Sequence, residues 1–225
     1  MNIVSLPGLD GTGELPSDVE DILTSRHSVS VVQYPPELHR YMDLQAWLEN
    51  ILPKDDFIIV AESFSGPLAI MLASADTAGL KGIVFVATFA KTSVRVPLFL
   101  THTVEIMPIK SRLLTGVAQP LLMGRWSRRD FTEKFRRAMK LVPAKTIAGR
   151  LREALNADAV EQLRRLSLPS IYLQATQDRL VPPEMSLDFG RAACEILKID
   201  GRHFLLQAKP SQSADQIMDF AARFD

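Results

Sequence analysis

The chain has a single cysteine, Cys194, among its 225 residues. One thiol excludes an internal disulfide and a Cys-rich metal centre, and it fits a reducing compartment. Long apolar runs are missing as well: nothing approaches the roughly 18 uncharged apolar residues that a transmembrane helix needs. Met1–Leu6 has neither the basic segment nor the apolar core of a signal peptide. There is no excess of either charge, with 26 basic and 26 acidic residues, so overall balance gives no reason to expect nucleic acid as a partner. No internal repeat or low-complexity tract is visible, and no group of residues has metal-ligand spacing. These absences predict a cytoplasmic protein with no integral membrane association, no metal and no organic cofactor.

Hydrophobic residues make up 47% of the chain, enough for a substantial core. Six apolar segments have strand length: Ile3–Leu6, Val29–Val32, Phe57–Ala61, Gly82–Ala87, Ser170–Ala175 and Glu195–Ile199. Most lack strict alternation and are rich in Ile and Val, which suits parallel strands covered on both faces. Helix-like stretches lie between them: Ser17–Arg26, Leu38–Leu52, Ser65–Ala75, Pro182–Cys194 and Ser211–Phe224. Alternating strand and helix signals predict a doubly wound α/β domain.

The rhythm breaks after Ala87, with no convincing strand until Ser170, a gap too long for an ordinary loop. Phe131, Phe135, Met139 and Val142 recur at helical spacing, and Asp158 with Glu161 resembles a capping box. The pattern predicts a helical insertion over roughly 91–155, with the α/β core formed by 1–90 and 156–225. From Lys110 to Arg165 there are fourteen Lys or Arg and five Asp or Glu, a net of +9, so the remainder carries −9. Such a face is either the solvated side of amphipathic helices or a surface for an acidic partner or an anionic substrate tail.

The segment FIIVAESFSGPLAI places Ser63 just past a buried strand and before a helix, where a sharp turn can lift a serine hydroxyl off the sheet edge. That turn crowds its flanks and asks for small residues on both sides; Ala61, Ser65 and Gly66 supply them in an A-x-S-x-S pattern. Taken alone, the segment fits a helix N-cap equally well. The partners decide. Asp178 follows the fifth strand and His203 the sixth, giving the chain order Ser, acid, His, with all three at the edge where open α/β sheets assemble their sites. A neutral imidazole can take the serine proton and return it to a leaving group, and a carboxylate holds the imidazole in the right tautomer. Asp178 could also cap a turn before Val181-Pro182. His27, His39 and His102 fit the pattern less well and read as structural or solvated.

The first strand ends in LPGLDGTG, Leu6 to Gly13. This glycine-rich loop lacks both the P-loop and the dinucleotide-binding patterns. With a serine nucleophile, its use is an oxyanion hole made by the backbone N–H groups of Leu9 and Phe64. Gly8 would allow close approach, Gly11 and Asp10 would shape the loop, and Asp10 and Thr12 could equally form a turn or touch substrate.

Four pieces, LPGLDGTG, VAESFSG, ATQDRLVP and DGRHFLLQAKP, occur in the order and spacing of the α/β-hydrolase superfamily, which the chain resembles across nearly its whole length. Within it the chain looks like the small carboxylesterases, including those that cleave pimeloyl-carrier-protein methyl ester. The resemblance implies a mostly parallel sheet of about six strands, trimmed at one edge, and a helical cap over a short acyl pocket. It also implies that Ser63, Asp178 and His203 form the triad. Two departures stand out: Pro7-Gly8 where the family often has His-Gly, and Ala61 and Ser65 in place of glycines. Leu98, Leu121, Leu122 and Trp126 are candidate pocket residues, equally able to be cap core. The expected activity is hydrolysis of a small-molecule ester or acyl compound with a hydrophobic acyl group. A thioesterase or acyltransferase on carrier-bound acyl groups would use the same residues, and a non-catalytic binding module of this fold is the other alternative. An acidic carrier protein is a candidate partner for the basic cap.

Overall fold

A computed structural model describes residues 1–92 and 122–224. Six strands form one sheet: β1 (Asn2–Leu6), β2 (Ser28–Val31), β3 (Phe57–Glu62), β4 (Leu80–Val86), β5 (Ser170–Ala175) and β6 (Glu195–Ile199), in the order β2-β1-β3-β4-β5-β6. Every neighbouring pair is parallel. Parallel pairing requires crossover connections, and the helical segments provide them. They are α1 (Ser17–Leu23), α2 (Tyr41–Ile51), α3 (Ser65–Ser74), α4 (Arg129–Leu141), α5 (Ala144–Asn156), α6 (Val160–Arg164), α7 (Ser186–Arg191), α8 (Leu205–Ala208) and α9 (Pro210–Ala221).

The lack of alternation in the strands has a direct cause. Along β3, Phe57, Ile59 and Ala61 enter one core with Leu44, Leu48, Leu68 and Phe189. Ile58 and Val60 enter a second core with Val19, Ile217 and Phe220. Both faces are covered, so successive residues are all apolar. The edge strand β2 has mostly exposed residues and is the least apolar of the six. Side chain size also matters on the buried face of β4: a Cβ on Gly82 would press within 3.0 Å of the Phe220 ring, so α9 can lie close.

Between β4 and β5 most of the described residues from 122 to 164 are helical. The expected stripe is present on α4, where Phe131 and Phe135 are buried with Met123 and Leu15, and Val142 is buried just past the helix. The two ends of the segment are tied together: Ala159 N–H donates to the Ala90 carbonyl at 2.9 Å, and Lys91 pairs with Asp158 at 2.5 Å. The expected capping box does not form. Asp158 reaches the Val160 N–H only at 3.5 Å, and Glu161 turns to Arg164 at 2.6 Å instead of closing back on the helix start. The helix starts at Val160 with Ala159 at its N-cap, so Asp158 lies one residue before the capping position, and its other oxygen pairs with Lys91. Among the described residues, no helix is long and apolar enough to cross a membrane.

Candidate active site

Ser63 follows β3 directly and has φ of 51°, a left-handed conformation that costs a non-glycine residue about 1 kcal/mol or more. The turn is held from several sides. Ser63 N–H donates to Val86 O at 3.0 Å, Gly66 N–H donates to Ser63 O at 3.2 Å, and the Thr88 hydroxyl also donates to Ser63 O. The crowding is sharpest at Gly66, where a Cβ would collide with Thr88. Ala61 and Ser65 are fully buried, yet the fold accepts them.

The loops after β5 and β6 bring the partners in. Ser63 Oγ lies 2.8 Å from His203 Nε2, and His203 Nδ1 lies 2.9 Å from Asp178 Oδ2. The remaining oxygen of Asp178 accepts the N–H groups of Leu180 and Val181 at 2.8 and 2.9 Å, so its turn-capping and triad roles coexist on separate oxygens. This fixes the tautomer: Nδ1–H donates to Asp178, and Nε2 accepts the serine proton. The three side chains form a Ser-His-Asp triad, the catalytic arrangement of a serine hydrolase. Burial alone would lower the His203 pKa, but the Asp178 charge and hydrogen bond, with Glu62 adding, hold it above the usual 6.5.

A cavity of about 160 Å³ opens beside the triad. Ser63, His203, Gly8 and Leu9 form its floor, and Leu15, Leu122, Phe135, Met139, Ile147, Leu180 and Phe204 make the walls largely apolar. Phe135, Met139 and Ile147 come from α4 and α5, so the insertion supplies part of the lining. Leu122 is the one expected pocket residue placed there. Trp126 is not: Arg125 stacks on its ring at 4.5 Å and Lys209 approaches at 5.6 Å, so its face is taken by cations. Leu98 and Leu121 lie outside the described residues, as does His102. His39 packs against Gly149, where a Cβ would come within 2.7 Å of the imidazole.

The loop after β1 runs past the nucleophile. Gly8 O accepts Gly11 N–H at 3.0 Å, which in a trans peptide turns the Leu9 N–H the opposite way. Ser63 O is likewise engaged, which turns out the Phe64 N–H, and Phe64 O accepts the Tyr41 hydroxyl at 2.9 Å. Among the described residues neither the Leu9 nor the Phe64 N–H has a protein acceptor. Gly8 is not demanded by space, since a Cβ there would sit an ordinary 3.8 Å from Ser63 Cβ. The constraint falls on Gly11, with φ of 70° and the Arg150 guanidinium against its α-carbon. Asp10 accepts the Thr12 N–H at 2.9 Å and the Thr12 hydroxyl.

Several contributors carry no local sequence signal. Glu62, beside the nucleophile, is 4% exposed, lines the cavity and accepts from Gln207 at 3.0 Å. Burial pushes its carboxyl up to about 7, against the smaller opposing pull of Gln207 and His203. Arg150, Tyr34 and Thr88 act through contacts that cross more than twenty residues of chain. Among the described residues no three His, Cys, Asp or Glu side chains converge as metal ligands would.

No model of a known protein family matches the chain. No curated protein matches it either. Solved structures do match in shape. A bromoperoxidase from Bacillus anthracis superposes with a TM-score of 0.84 at 13% identity, covering 98% of this chain and 91% of that one. An esterase from Exiguobacterium antarcticum gives 0.84 at 8% identity, covering 98% and 91%. A thermophilic esterase from Thermogutta terrifontis gives 0.82 at 15% identity, covering 99% and 90%. The likeness establishes the α/β-hydrolase fold and nothing narrower.

Proposed function

We propose that the protein hydrolyses carboxylic esters carrying a short apolar acyl group, through an acyl-enzyme on Ser63. The observation that carries this reading is the hydrogen-bonded Ser63–His203–Asp178 chain opening onto an apolar cavity of about 160 Å³. Ser63 Oγ attacks the ester carbonyl as its proton passes to His203 Nε2. The N–H groups of Leu9 and Phe64 hold the oxyanion. Collapse of the tetrahedral intermediate expels the alcohol, protonated by His203; water then attacks the acyl-enzyme by the same route and frees the acid. Two of the similar solved structures are named esterases, which favours esters over thioesters.

The cavity walls support treating 91–155 as a cap, and the tie between 90–91 and 158–159 supports a boundary there. Part of the basic character of this region is spent internally. Lys134 and Arg128 pair with Asp18, Arg125 pairs with Asp200, and Arg150 is buried. Arg129, Arg137 and Lys145 stay exposed. They support an acidic carrier protein as bearer of the acyl group, such as the pimeloyl-carrier methyl ester cleaved by the resembled esterases. The lone buried thiol of Cys194 supports a cytoplasmic setting.

A fluorophosphonate probe should label the wild type and not S63A. A panel of p-nitrophenyl esters and acyl thioesters graded by chain length should show kcat/KM highest for short acyl esters. Absence of labelling in folded protein overturns the hydrolase, and a thioester preference overturns the substrate class. Faster cleavage of carrier-bound than free methyl ester, lost as salt rises, would bear out the carrier; equal rates without salt dependence would reject it.

A further inference from the structure

Every carbonyl of the loop after β1, from Pro7 to Gly11, is occupied by a donor. Pro7 O accepts the Ser65 hydroxyl. Gly8 O accepts Gly11 N–H at 3.0 Å, and Gly11 O accepts Tyr34 N–H at 2.8 Å. Leu9 O and Asp10 O both accept from Arg150 Nη1, at 3.2 and 2.7 Å. A loop whose carbonyls are all held has little freedom to rotate its peptides, and the Leu9 N–H, opposite the held Gly8 carbonyl, is left without a protein acceptor among the described residues.

Two of these supports come from unusual places. Ser65 stands where the serine turn normally has glycine, and its hydroxyl has one proton. That proton goes to Pro7 O, which can only accept, so Tyr34 must be the donor in its 2.6 Å contact with Ser65 Oγ. Arg150 belongs to α5 in the insertion. It is fully buried with no carboxylate within salt-bridge distance among the described residues. Its remaining N–H groups go to Pro35 O and Leu38 O, at 3.2 to 3.3 Å. The guanidinium also lies over the Tyr34 ring at 5.5 Å. Burying it without a carboxylate partner is costly, and an apolar residue would fill the space more cheaply. The planar fork is what spans two loops at once.

We propose that Ser65, acting with Tyr34, and Arg150 are positioning residues that clamp the Pro7–Gly11 loop by its carbonyls and so aim the Leu9 N–H at the oxyanion. This rests on the assignment of Leu9 as an oxyanion donor made above. The insertion is thereby part of the catalytic apparatus as well as a wall of the acyl pocket. The clamp acts in the transition state, where the oxyanion exists, and contributes little to ground-state binding.

The test is steady-state hydrolysis of p-nitrophenyl butyrate by wild type, S65A, Y34F, the S65A/Y34F double variant and R150K. Melting curves accompany it, as does inhibition by an alkyl trifluoromethyl ketone, whose hemiketal with Ser63 places an oxyanion in the hole. S65A should lower kcat by about 10- to 100-fold and weaken the ketone in parallel, with KM within about twofold. Y34F should cost less than S65A, and the double variant no more than S65A, because the Tyr34 hydroxyl reaches the loop only through Ser65. R150K, which keeps charge but loses the fork, should lower kcat with KM again preserved. Folded S65A and R150K with wild-type kcat, or losses confined to KM, overturn the clamp. Wild type that neither hydrolyses the ester nor takes up the ketone overturns the hydrolase reading itself, and the clamp with it.

Discussion

Ser63, Asp178 and His203 each sit within four residues of the end of a parallel strand, so three short turns fix the triad. The loop facing them, Pro7 to Gly11, also follows a strand, but side chains from positions 34, 65 and 150 hold it in place. One side of the site is built by turns at strand ends, the serine turn braced by Val86 and Thr88 of the neighbouring strand and its end, and the other by side chains from distant elements. The difference decides what each side tolerates. The turns are tied to the sheet itself, whereas the loop can be loosened from a helix of the insertion without touching any reacting group.

The sharpest way to break this comparison is to remove a reacting group. S63A should lower kcat by about 10⁶-fold, far beyond any loss from the loop supports, as read by ester hydrolysis. A residual rate above that of S65A would mean that the chemistry does not run through Ser63. D178N should come next, at about 10⁴-fold, because the asparagine disturbs the His203 tautomer that the carboxylate fixes. The pH profile gives a second reading. His203 must be neutral to accept the serine proton, and its pKa is held above 6.5, so wild-type kcat/KM should fall as pH drops through a value above 6.5. Without the Asp178 charge the acid limb in D178N should move to lower pH. A limb that stays in place would assign it to another group.

The same division explains what could be read from the chain. Strand β3 was legible because an apolar run buried on both faces leaves a local mark in Ile and Val, and β5 and the part-exposed edge strand β6 match their expected bounds. The triad was legible because its order and strand-end placement are local facts. Arg150 was not: it counted toward a basic face, and only the folded chain brings the carbonyls of Leu9, Asp10, Pro35 and Leu38 around its guanidinium. Trp126 fails in the opposite direction, since its apolar character suggested a pocket wall and neighbouring cations take its ring. Ser65 read as a small residue tolerated by a tight turn, and its hydroxyl proves to be engaged on both sides.

Glu62 tests the strand-end side more gently. Its carboxyl lies beside Ser63, buried, with its hydrogen bond to Gln207 and no cation paired to it in the described structure. Burial raises its pKa from 4.5 to about 7. The folded protein therefore keeps this proton across a pH range in which the unfolded chain has lost it. The stabilisation is complete below 4.5 and is lost as pH rises to 7, a decline of roughly 3 kcal/mol. E62Q keeps an acceptor for Gln207 and cannot ionise, so it should lack that decline. Urea melts at pH 5 and pH 8 should show the variant gaining on the wild type at pH 8 by up to that amount, with a much smaller difference at pH 5. Glu20 is also raised to about 7, mainly by burial, and that main part is common to both proteins; the smaller part due to the Glu62 charge is lost in E62Q. An equal pH 5 to pH 8 change in wild type and E62Q would mean that Glu62 is ionised in the folded state. A fixed negative charge would then stand beside the oxyanion, and the loop side of the site would have to offset it.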